Sequence, residues 1–427
     1  MPASINATQH HIARLRTSLD HLRAAERLNP AEPAPPAPSL RLGRSVDRDQ
    51  VARAWDELQA RTGATQADRD ALADPATLGT VDAYARNIES MIGTIKVPVG
   101  IAGPLRVNGL HASGDYMVPL ATTEAAMVAS YSRGAYAISQ AGGASAALVN
   151  EGMMRSPGFA FSSVLEAGMF AIHCVDTFGA LKAAADATTR YGKLIEVAPQ
   201  LEGDTVFLLC RYTTGDASGQ NMTTIATDAL CRTAVASSPV QPRHWFVEAN
   251  LSGDKKPSAL AALGGRGRSV VATVLLPEEL VVRVLRTTPT RMDEYGRMAA
   301  IGGVLSGTMG RQAHVANGLA ALYLATGQDV ACVAESATGV TRMELRDGGL
   351  FASVTLPSVM LGTVGGGTGL PSQSAALRIM GLAGPGKAAA LAEVAAALCL
   401  AGEISIIAAL SAGQFTQAHH ALARTRA

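Results

Sequence analysis

The fold is decided by the stretch Lys193-Leu-Ile-Glu-Val-Ala-Pro-Gln-Leu-Glu-Gly-Asp-Thr-Val-Phe-Leu-Leu-Cys-Arg-Tyr212. It contains two segments rich in β-branched and aromatic residues, Lys193 to Val197 and Thr205 to Tyr212. A turn that contains glycine separates them. The stretch therefore predicts two consecutive strands.

Helices and further strands are predicted on both sides of this pair. One helical run covers residues 163–186 and another covers about residues 221–237. Phe159-Ala-Phe-Ser162 before them and Arg243-His-Trp-Phe-Val-Glu248 after them complete the order βαββαβ, the ferredoxin-like unit. The sequence therefore predicts an α+β protein in which this small unit is inserted in a large, mainly helical domain. No GxGxxG follows a strand, which argues against a Rossmann domain.

The composition limits the class of protein. A chain of 427 residues can form two or more domains, and a net charge of +1 argues against binding to nucleic acid. The five cysteines lack metal-ligand spacing, so no metal is predicted and a reducing cytoplasm is expected. The most apolar region, residues 388–412, is interrupted by Glu393 and Glu403 and predicts a buried helix rather than a membrane span.

The residues before the first strands are predicted to be helical. Residues 1 to about 28 form one helix, and a Pro-rich linker follows at residues 29–38. Another helix covers residues 46–59. Thr122 or Thr123 is expected to cap a helix from Ala125 to Ser139, which puts Glu124 in its first turn.

Four ionisable residues lie in apolar surroundings of small residues: Glu124, Lys255, Asp329 and His419. Only 17% of the residues are charged, and a buried charge is costly unless it is paired. The four residues therefore suggest one converging site with a proton donor and an oxyanion stabiliser. For each residue taken alone, a structural salt bridge or a helix cap remains an alternative.

Several short motifs resemble those of the hydroxymethylglutaryl-CoA reductase family, and they occur in the family's order. They are Glu89-Ser-Met-Ile-Gly93 with Val97-Pro-Val-Gly-Ile-Ala-Gly-Pro-Leu105, Ala121-Thr-Thr-Glu124, Asp254-Lys-Lys-Pro257, Gly265-Arg-Gly-Arg268, Gly327-Gln-Asp329, and Gly362-Thr-Val-Gly-Gly-Gly-Thr368. The resemblance runs from about residue 80 to about residue 425.

The resemblance implies reduction of 3-hydroxy-3-methylglutaryl-CoA to mevalonate and CoA by NADPH, in a four-electron reaction. Lys255 would stabilise the oxyanion, and Glu124 would donate a proton with its pKa raised by Asp329. His419, on a mobile C-terminal helix, would protonate the CoA thiolate. The implied substrate-binding residues are Arg155, Asp254, Lys256, Arg297 and Asn317. The implied cofactor-binding residues are Thr189, Arg190, Asp216, Gly219, Gln220 and Asn221.

The resemblance also implies an organisation into domains and subunits. Residues 41–157 and 248–405 form the large domain, and residues 158–247 form the inserted dinucleotide-binding domain. Residues 1–40, the N-terminal helix and Pro-rich linker, are not covered by the resemblance. Residues 406–427 form a C-terminal flap. The active site is expected between subunits of a dimer, a tetramer or a hexamer, in the cytoplasm and without membrane or nucleic-acid partners.

Some residues depart from the family's pattern. Ser218 and Gln220 stand where the family usually has methionine, and Gly369 replaces an asparagine. Glu248 replaces a serine that binds substrate, and Arg297 replaces a lysine. Glu248 and Arg297 leave open the same chemistry on a related branched acyl-CoA. A catalytically silent relative that binds CoA or a nucleotide is the other alternative.

Overall fold

The computed structural model of the protein describes residues 5–24 and 43–413. Its helices are α1 (Ile5–Ala24), α2 (Arg48–Arg61), α3 (Gln66–Leu72), α4 (Pro75–Gly79), α5 (Met127–Gln140), α6 (Val164–Asp176), α7 (Phe178–Asp186), α8 (Gln220–Ser237), α9 (Ala259–Ala262), α10 (Glu278–Leu280), α11 (Pro289–Ser306), α12 (Val315–Thr326), α13 (Val333–Ser336), α14 (Pro371–Ile379) and α15 (Ala388–Ser411). Its strands are β1 (Val99–Gly109), β2 (Ser113–Ala121), β3 (Ala144–Arg155), β4 (Gly158–Ala160), β5 (Lys193–Glu202), β6 (Thr205–Thr213), β7 (His244–Phe246), β8 (Gly267–Pro277), β9 (Val340–Arg346) and β10 (Gly349–Val359).

Strand β3 joins two sheets. Its first part pairs with β1 and β8, and its last residues, Met153 to Arg155, pair with β6. The larger sheet has the order β2-β1-β3-β8-β10-β9, and the smaller one has the order β7-β4-β6-β5. Strands β1 and β3 are parallel, and the other strand pairs are antiparallel. The protein is therefore a mixed α/β structure with a largely antiparallel sheet.

The smaller sheet carries the predicted βαββαβ order of elements. The elements run β4, α6 with α7, β5, β6, α8 and β7. The predicted first helix is divided at Thr177, where α6 and α7 meet at a bend of 68°. Phe159, Phe170, Leu208 and Leu230 belong to a buried apolar cluster separate from that of the larger part. The insert therefore has a hydrophobic core of its own.

The larger part is built around a six-stranded sheet and so contains more strand than the sequence indicated, although helices still account for most of its regular structure. Strands β1, β2 and the first part of β3 were not predicted. Gly103 and Pro104 interrupt β1, and β2 begins with Ser113-Gly-Asp115, residues that strands disfavour. Pairing with neighbouring strands outweighs these weak local preferences.

Helix α15 is buried, as predicted, and it packs in the larger core. The carboxylate of Glu393 accepts hydrogen bonds from two backbone N–H groups in the β1–β2 turn and from that of Leu148. Glu403 accepts from two N–H groups just before α12 and from the hydroxyl of Thr341. Both glutamates are fully buried, and these contacts offset the cost of burying a carboxylate.

Within residues 5–24 and 43–413, two helical segments meet the length and composition of a membrane span. One is α15, but 89% of its most apolar window is buried inside the protein. The other is α6 with α7, which qualifies only as a bent pair. Burial of this kind is typical of a core helix.

The structure corrects two predictions at helix ends. Helix α5 begins at Met127, after Ala126 in a left-handed conformation (φ 67), so Glu124 lies before the helix and not in its first turn. The Thr122 hydroxyl accepts the N–H of Glu124, which favours a local turn over a helix cap. Helix α15 extends to Ser411 because its residues are packed in the core, so the flap does not begin at residue 406.

Some predictions concern residues outside the described ranges. The Pro-rich linker at residues 29–38 and the tail with His419 both lie there. The last described residue, Gly413, has φ 69, a left-handed conformation that commonly follows the end of a helix.

Candidate active site

A cleft of about 770 Å³ lies where the insert meets the larger part. One wall is formed by residues 217–222, at the junction of β6 and α8. The other walls are residues 327–330, after α12, and residues 364–368, after β10. Asp254 and Lys255 also line the cleft. Segments that are distant in sequence therefore converge on one site.

Glycines allow the loops around the cleft to approach each other closely. A Cβ atom on Gly327 would lie 2.2 Å from the carbonyl oxygen of Gly367. One on Gly362 would lie 2.7 Å from the carbonyl oxygen of Asp216. The side-chain amide of Gln328 is bound twice to the backbone of Gly362. The Gly-rich loop therefore packs against the segment after α12 more closely than residues with a Cβ atom would allow.

Lys255 and Asp329, two of the predicted catalytic residues, form an ion pair in the cleft. The distance from Lys255 Nζ to Asp329 Oδ2 is 2.9 Å, and 42% and 36% of the two side chains is exposed. The contact with Asp329 raises the pKa of Lys255. Burial alone would raise the pKa of Asp329, but contacts with Lys255 and Gln220 outweigh it and lower that pKa. Both side chains are therefore charged near neutral pH.

The backbone of Lys255 is held by a buried ion pair. Lys255 has φ 56, a left-handed conformation that side chains other than glycine's rarely adopt. Its N–H donates to Glu335 Oε1 at 3.3 Å, and Glu335 Oε2 lies 2.9 Å from Arg266 Nε. Both of these side chains are fully buried. Burial raises the pKa of Glu335 to about 7, although the guanidinium of Arg266 opposes this.

Arg155, Asp254 and Lys256, predicted to bind substrate, lie together beside Lys255. Arg155 Nη1 is 2.6 Å from Asp254 Oδ2 and 3.6 Å from Glu248 Oε2. The ammonium of Lys256 donates to the backbone oxygen of Asp254 and is exposed. Arg155 is largely buried, and the two carboxylates balance its charge.

The predicted cofactor residues 219–221 lie at the start of α8 and line the cleft. Gly219 has φ 80 and precedes the helix, whose first turn has no side-chain cap. An uncapped helix start offers backbone N–H groups to an anion. The side chain of Gln220 is bound to protein groups instead. It donates to Asp329 Oδ2 at 3.2 Å and accepts from Arg266 Nη2 at 3.3 Å.

The other three predicted cofactor residues differ in their position. The hydroxyl of Thr189 is 3.0 Å from the sulfur of Met222, which lines the cleft. Arg190 follows it in an exposed turn. The carboxylate of Asp216 instead accepts the N–H groups of Gly386 and Ala388 at the start of α15. The expected cofactor contact through the Asp216 carboxylate is therefore not supported, because that carboxylate caps a helix.

Glu124 and Asn317 form a second group, at the opposite end of α12. Asn317 Nδ2 donates to Glu124 Oε2 at 3.2 Å. Asn317 lies in the first turn of α12, and Asp329 follows the last turn of this 12-residue helix. Such a helix is about 18 Å long. Within the described part of one chain, Glu124 therefore lies apart from Lys255 and Asp329, and Asp329 does not contact it.

The residues that suggested a different substrate do not point into the cleft. Glu248 accepts hydrogen bonds from the N–H of Ser156 and the hydroxyl of Ser252. Arg297 is on an exposed face of α11 and pairs with Asp293, one turn earlier. Neither Glu248 nor Arg297 is among the described residues that line the cleft.

The sequence reasoning missed Arg266 and Glu335 as parts of the site. Arg266 stands in the quoted motif Gly265-Arg-Gly-Arg268, and a charged residue between glycines is a signal that could have identified it. Glu335 had no comparable signal. Among the described residues, no group of His, Cys, Asp or Glu side chains is placed to hold a metal ion.

Comparisons with known proteins agree on one family. The family model described as hydroxymethylglutaryl-coenzyme A reductase matches residues 51–424. The 3-hydroxy-3-methylglutaryl-coenzyme A reductase of Haloferax volcanii is 45% identical over 343 residues, which are 79% of this chain and 85% of that protein. The enzyme of the same name from Aeropyrum pernix is 43% identical over 347 residues, 80% of this chain and 82% of that protein.

The fold is also similar to that of a solved structure. This is the class II 3-hydroxy-3-methylglutaryl-CoA reductase from Streptococcus pneumoniae, bound to NADPH in open conformations. The TM-score is 0.63 at 18% identity, and the match covers 84% of this chain and 96% of that one.

Proposed function

The chain belongs to the hydroxymethylglutaryl-coenzyme A reductase family, and from that membership we propose that it reduces 3-hydroxy-3-methylglutaryl-CoA to mevalonate. Each turnover consumes two NADPH and two protons and releases CoA and two NADP⁺. The observation that carries the proposal is the ion pair of Lys255 and Asp329. This pair and the uncapped start of α8 line the same cleft.

We propose that residues 158–247 form a ferredoxin-like domain that holds NADPH, the hydride donor of the reaction. Three observations fit this role: the uncapped N–H groups at the start of α8, the left-handed Gly219, and the exposed Arg190, which follows the Thr189 that contacts Met222. A planar guanidinium can bind a phosphate in two places at once, so Arg190 is assigned to the 2′-phosphate. Asp216 is assigned to holding the 217–222 loop on α15.

Lys255 is the proposed oxyanion stabiliser. Its ammonium is charged, half-exposed in the cleft and oriented by Asp329, which suits it to a thioester or aldehyde oxygen that gains negative charge. Arg155, Asp254 and Lys256 surround it and orient the substrate. His419 is proposed to protonate the departing thiolate.

We propose that a complete active site needs two subunits. Lys255 with Asp329 and Glu124 with Asn317 lie at opposite ends of α12, too far apart to act on one thioester carbon. In an assembly with twofold symmetry, each subunit can supply its Glu124 to the cleft of the other. Glu124 would then donate its proton beside the partner's Lys255 and Asp329.

The contacts of Glu248 and Arg297 remove the reason for proposing a different acyl-CoA substrate. Glu248 is bound to Arg155 and nearby backbone, and Arg297 is bound to Asp293. The first assay follows nicotinamide absorbance with purified protein, NADPH and 3-hydroxy-3-methylglutaryl-CoA. We expect two NADPH oxidised for each thioester consumed. Binding of CoA and NADPH without oxidation would favour the silent relative, and turnover of another branched acyl-CoA alone would favour the alternative substrate.

We propose that the protein is located in the cytoplasm. The five cysteines are free thiols and buried, and burial raises the pKa of Cys174 to about 12. Such thiols fit small core residues rather than nucleophiles.

A further inference from the structure

By its resemblance to the family motif, Gln220 stands in place of a methionine, and its side chain joins two charged groups. Its Nε2 donates to Asp329 Oδ2 and its Oε1 accepts from Arg266 Nη2. A methionine thioether has no hydrogen to donate and is a weak acceptor. Both contacts therefore depend on the glutamine of this chain.

These contacts close a ring around the proposed catalytic lysine. Lys255 Nζ binds Asp329 at 2.9 Å, and Asp329 accepts from Gln220 at 3.2 Å. Gln220 accepts from Arg266 at 3.3 Å, and Arg266 pairs with Glu335 at 2.9 Å. Glu335 accepts the backbone N–H of Lys255 at 3.3 Å. We call these five residues the Lys255 ring.

The Lys255 ring crosses the boundary between the two parts of the molecule. Gln220 is the first residue of α8 in the insert, and the other four members belong to the larger part. Arg266 is a firm anchor because its side chain is fully buried between Glu335 and Asp254. The position of the insert is thereby linked to the position of Asp329.

We propose that Gln220 is a positioning residue that holds Asp329 against Lys255 while the insert is seated on the larger part. The inference rests on the proposed function, because the insert is there assigned to NADPH and the Lys255–Asp329 pair to the reaction. Movement of the insert would stretch the contact with Gln220 and so loosen Asp329. Cofactor binding at the start of α8 would fix Gln220 and complete the Lys255 ring.

Few other groups near Asp329 can donate a hydrogen bond to its carboxylate. The groups that face it or lie just behind its partners are Lys255, Cys332, Arg266, Glu335, Asp254 and Arg155. Arg266 and Arg155 are already paired with carboxylates. Besides Lys255 and Gln220, the carboxylate accepts the N–H of Ala331 at 3.1 Å. Loss of the Gln220 amide should therefore raise the pKa of Asp329.

The test compares the pH dependence of kcat/KM in Gln220→Met with that of the wild type. The acid limb should move upward by about 0.5 to 1 pH unit, and kcat should fall more than KM for NADPH rises. Ser218→Met is the matched control, because it places the same side chain in the same motif without a contact to Asp329. An unchanged acid limb in Gln220→Met, or the same shift in both variants, would overturn the proposal.

A second measurement needs no turnover. The carboxyl of Asp329 is titrated by ¹³C NMR in the substrate-free protein with labelled aspartate, and Asp329→Asn identifies its signal. Its pKa should rise in Gln220→Met, and equal values in the two proteins would overturn the proposal. The wild-type protein could lack reductase activity while the pKa of Asp329 still rises in Gln220→Met. That result would reject the proposed function and leave the positioning role of Gln220 intact. If Gln220→Met fails to fold, Gln220→Glu replaces it and should give a larger rise, because like charges then face each other.

Discussion

At the scale of single residues, Lys255 is held at both its backbone and its side chain. Its left-handed backbone is bound to Glu335, and its ammonium is bound to Asp329. Strained conformations of this kind persist where the surroundings fix them, and they are frequent at functional sites. In the proposed mechanism, the lysine is thus oriented before a substrate arrives, which reduces the reorganisation needed when negative charge develops.

Replacement of Lys255 by alanine should abolish most turnover. Loss of one oxyanion donor lowers kcat by roughly 10²- to 10³-fold, and loss of a charged donor should cost at least as much. The dissociation constant for NADPH should be unchanged, because Lys255 is outside the insert. Stopped assays and fluorescence titration of NADPH measure the two quantities. Near-normal turnover in Lys255→Ala would remove this residue from the mechanism.

Arg190 should determine the preference for NADPH over NADH. A charge-assisted hydrogen bond contributes about 1.5–3 kcal/mol, so Arg190→Ala should weaken NADPH binding by about 10- to 150-fold and leave NADH binding nearly unchanged. Arg243→Ala is the control, since this exposed arginine of the insert already pairs with Asp204. Equal weakening of both cofactors would assign Arg190 to the fold or the pyrophosphate.

At the scale of elements, α15 connects the larger core through two carboxylates. Glu393 binds the β1–β2 turn and β3, and Glu403 binds the segment before α12 and β9. Each carboxylate satisfies donors that the apolar neighbours of the helix cannot satisfy. The helix is therefore fixed in rotation and in register, which an alanine-rich surface alone would specify poorly.

Glu393→Gln should destabilise the larger part. The amide keeps the shape and one acceptor oxygen, but its NH₂ group faces at least one backbone N–H that Glu393 now binds. A buried unsatisfied donor costs about 1–3 kcal/mol, and the loss of the charge weakens the remaining hydrogen bonds. We expect a loss of about 2–4 kcal/mol in the free energy of unfolding, measured by urea titration. Glu279→Gln is the control, because Glu279 is 86% exposed and pairs only across one turn. A midpoint equal to that of the control would contradict this role.

The elements also indicate why part of the structure could be predicted from sequence. The insert alternates between strand and helix within short segments, so its order followed from local patterns. The contact of Asp216 with Gly386 and that of Glu393 with His111 link residues far apart in the chain, and no local pattern reports them. Family motifs predicted the residues of the site, but the separation of Glu124 from Lys255 follows from the length of α12.

At the scale of the whole molecule, the separation of Glu124 from Lys255 within one chain has a direct test. Glu124→Gln and Lys255→Ala should each be inactive, but a mixture that exchanges subunits should regain activity. In a dimer formed at random from equal amounts, half of the molecules contain both variants, and one of their two sites has both native residues. About a quarter of the wild-type rate is therefore expected. No recovery, despite proven exchange of subunits, would place the complete site within one chain.

The position of α15 at the centre of the larger core bears on how the protein is made. A ribosome releases every strand of the larger sheet before it releases α15, so the sheet emerges without the helix that covers it. The insert has its own core and all its strands by residue 246, which allows it to fold on the nascent chain. The larger sheet of the nascent chain would expose its apolar face until α15 has been translated. We therefore expect chains stalled before residue 388 to contain a protease-resistant insert and to recruit chaperones at the unfinished sheet.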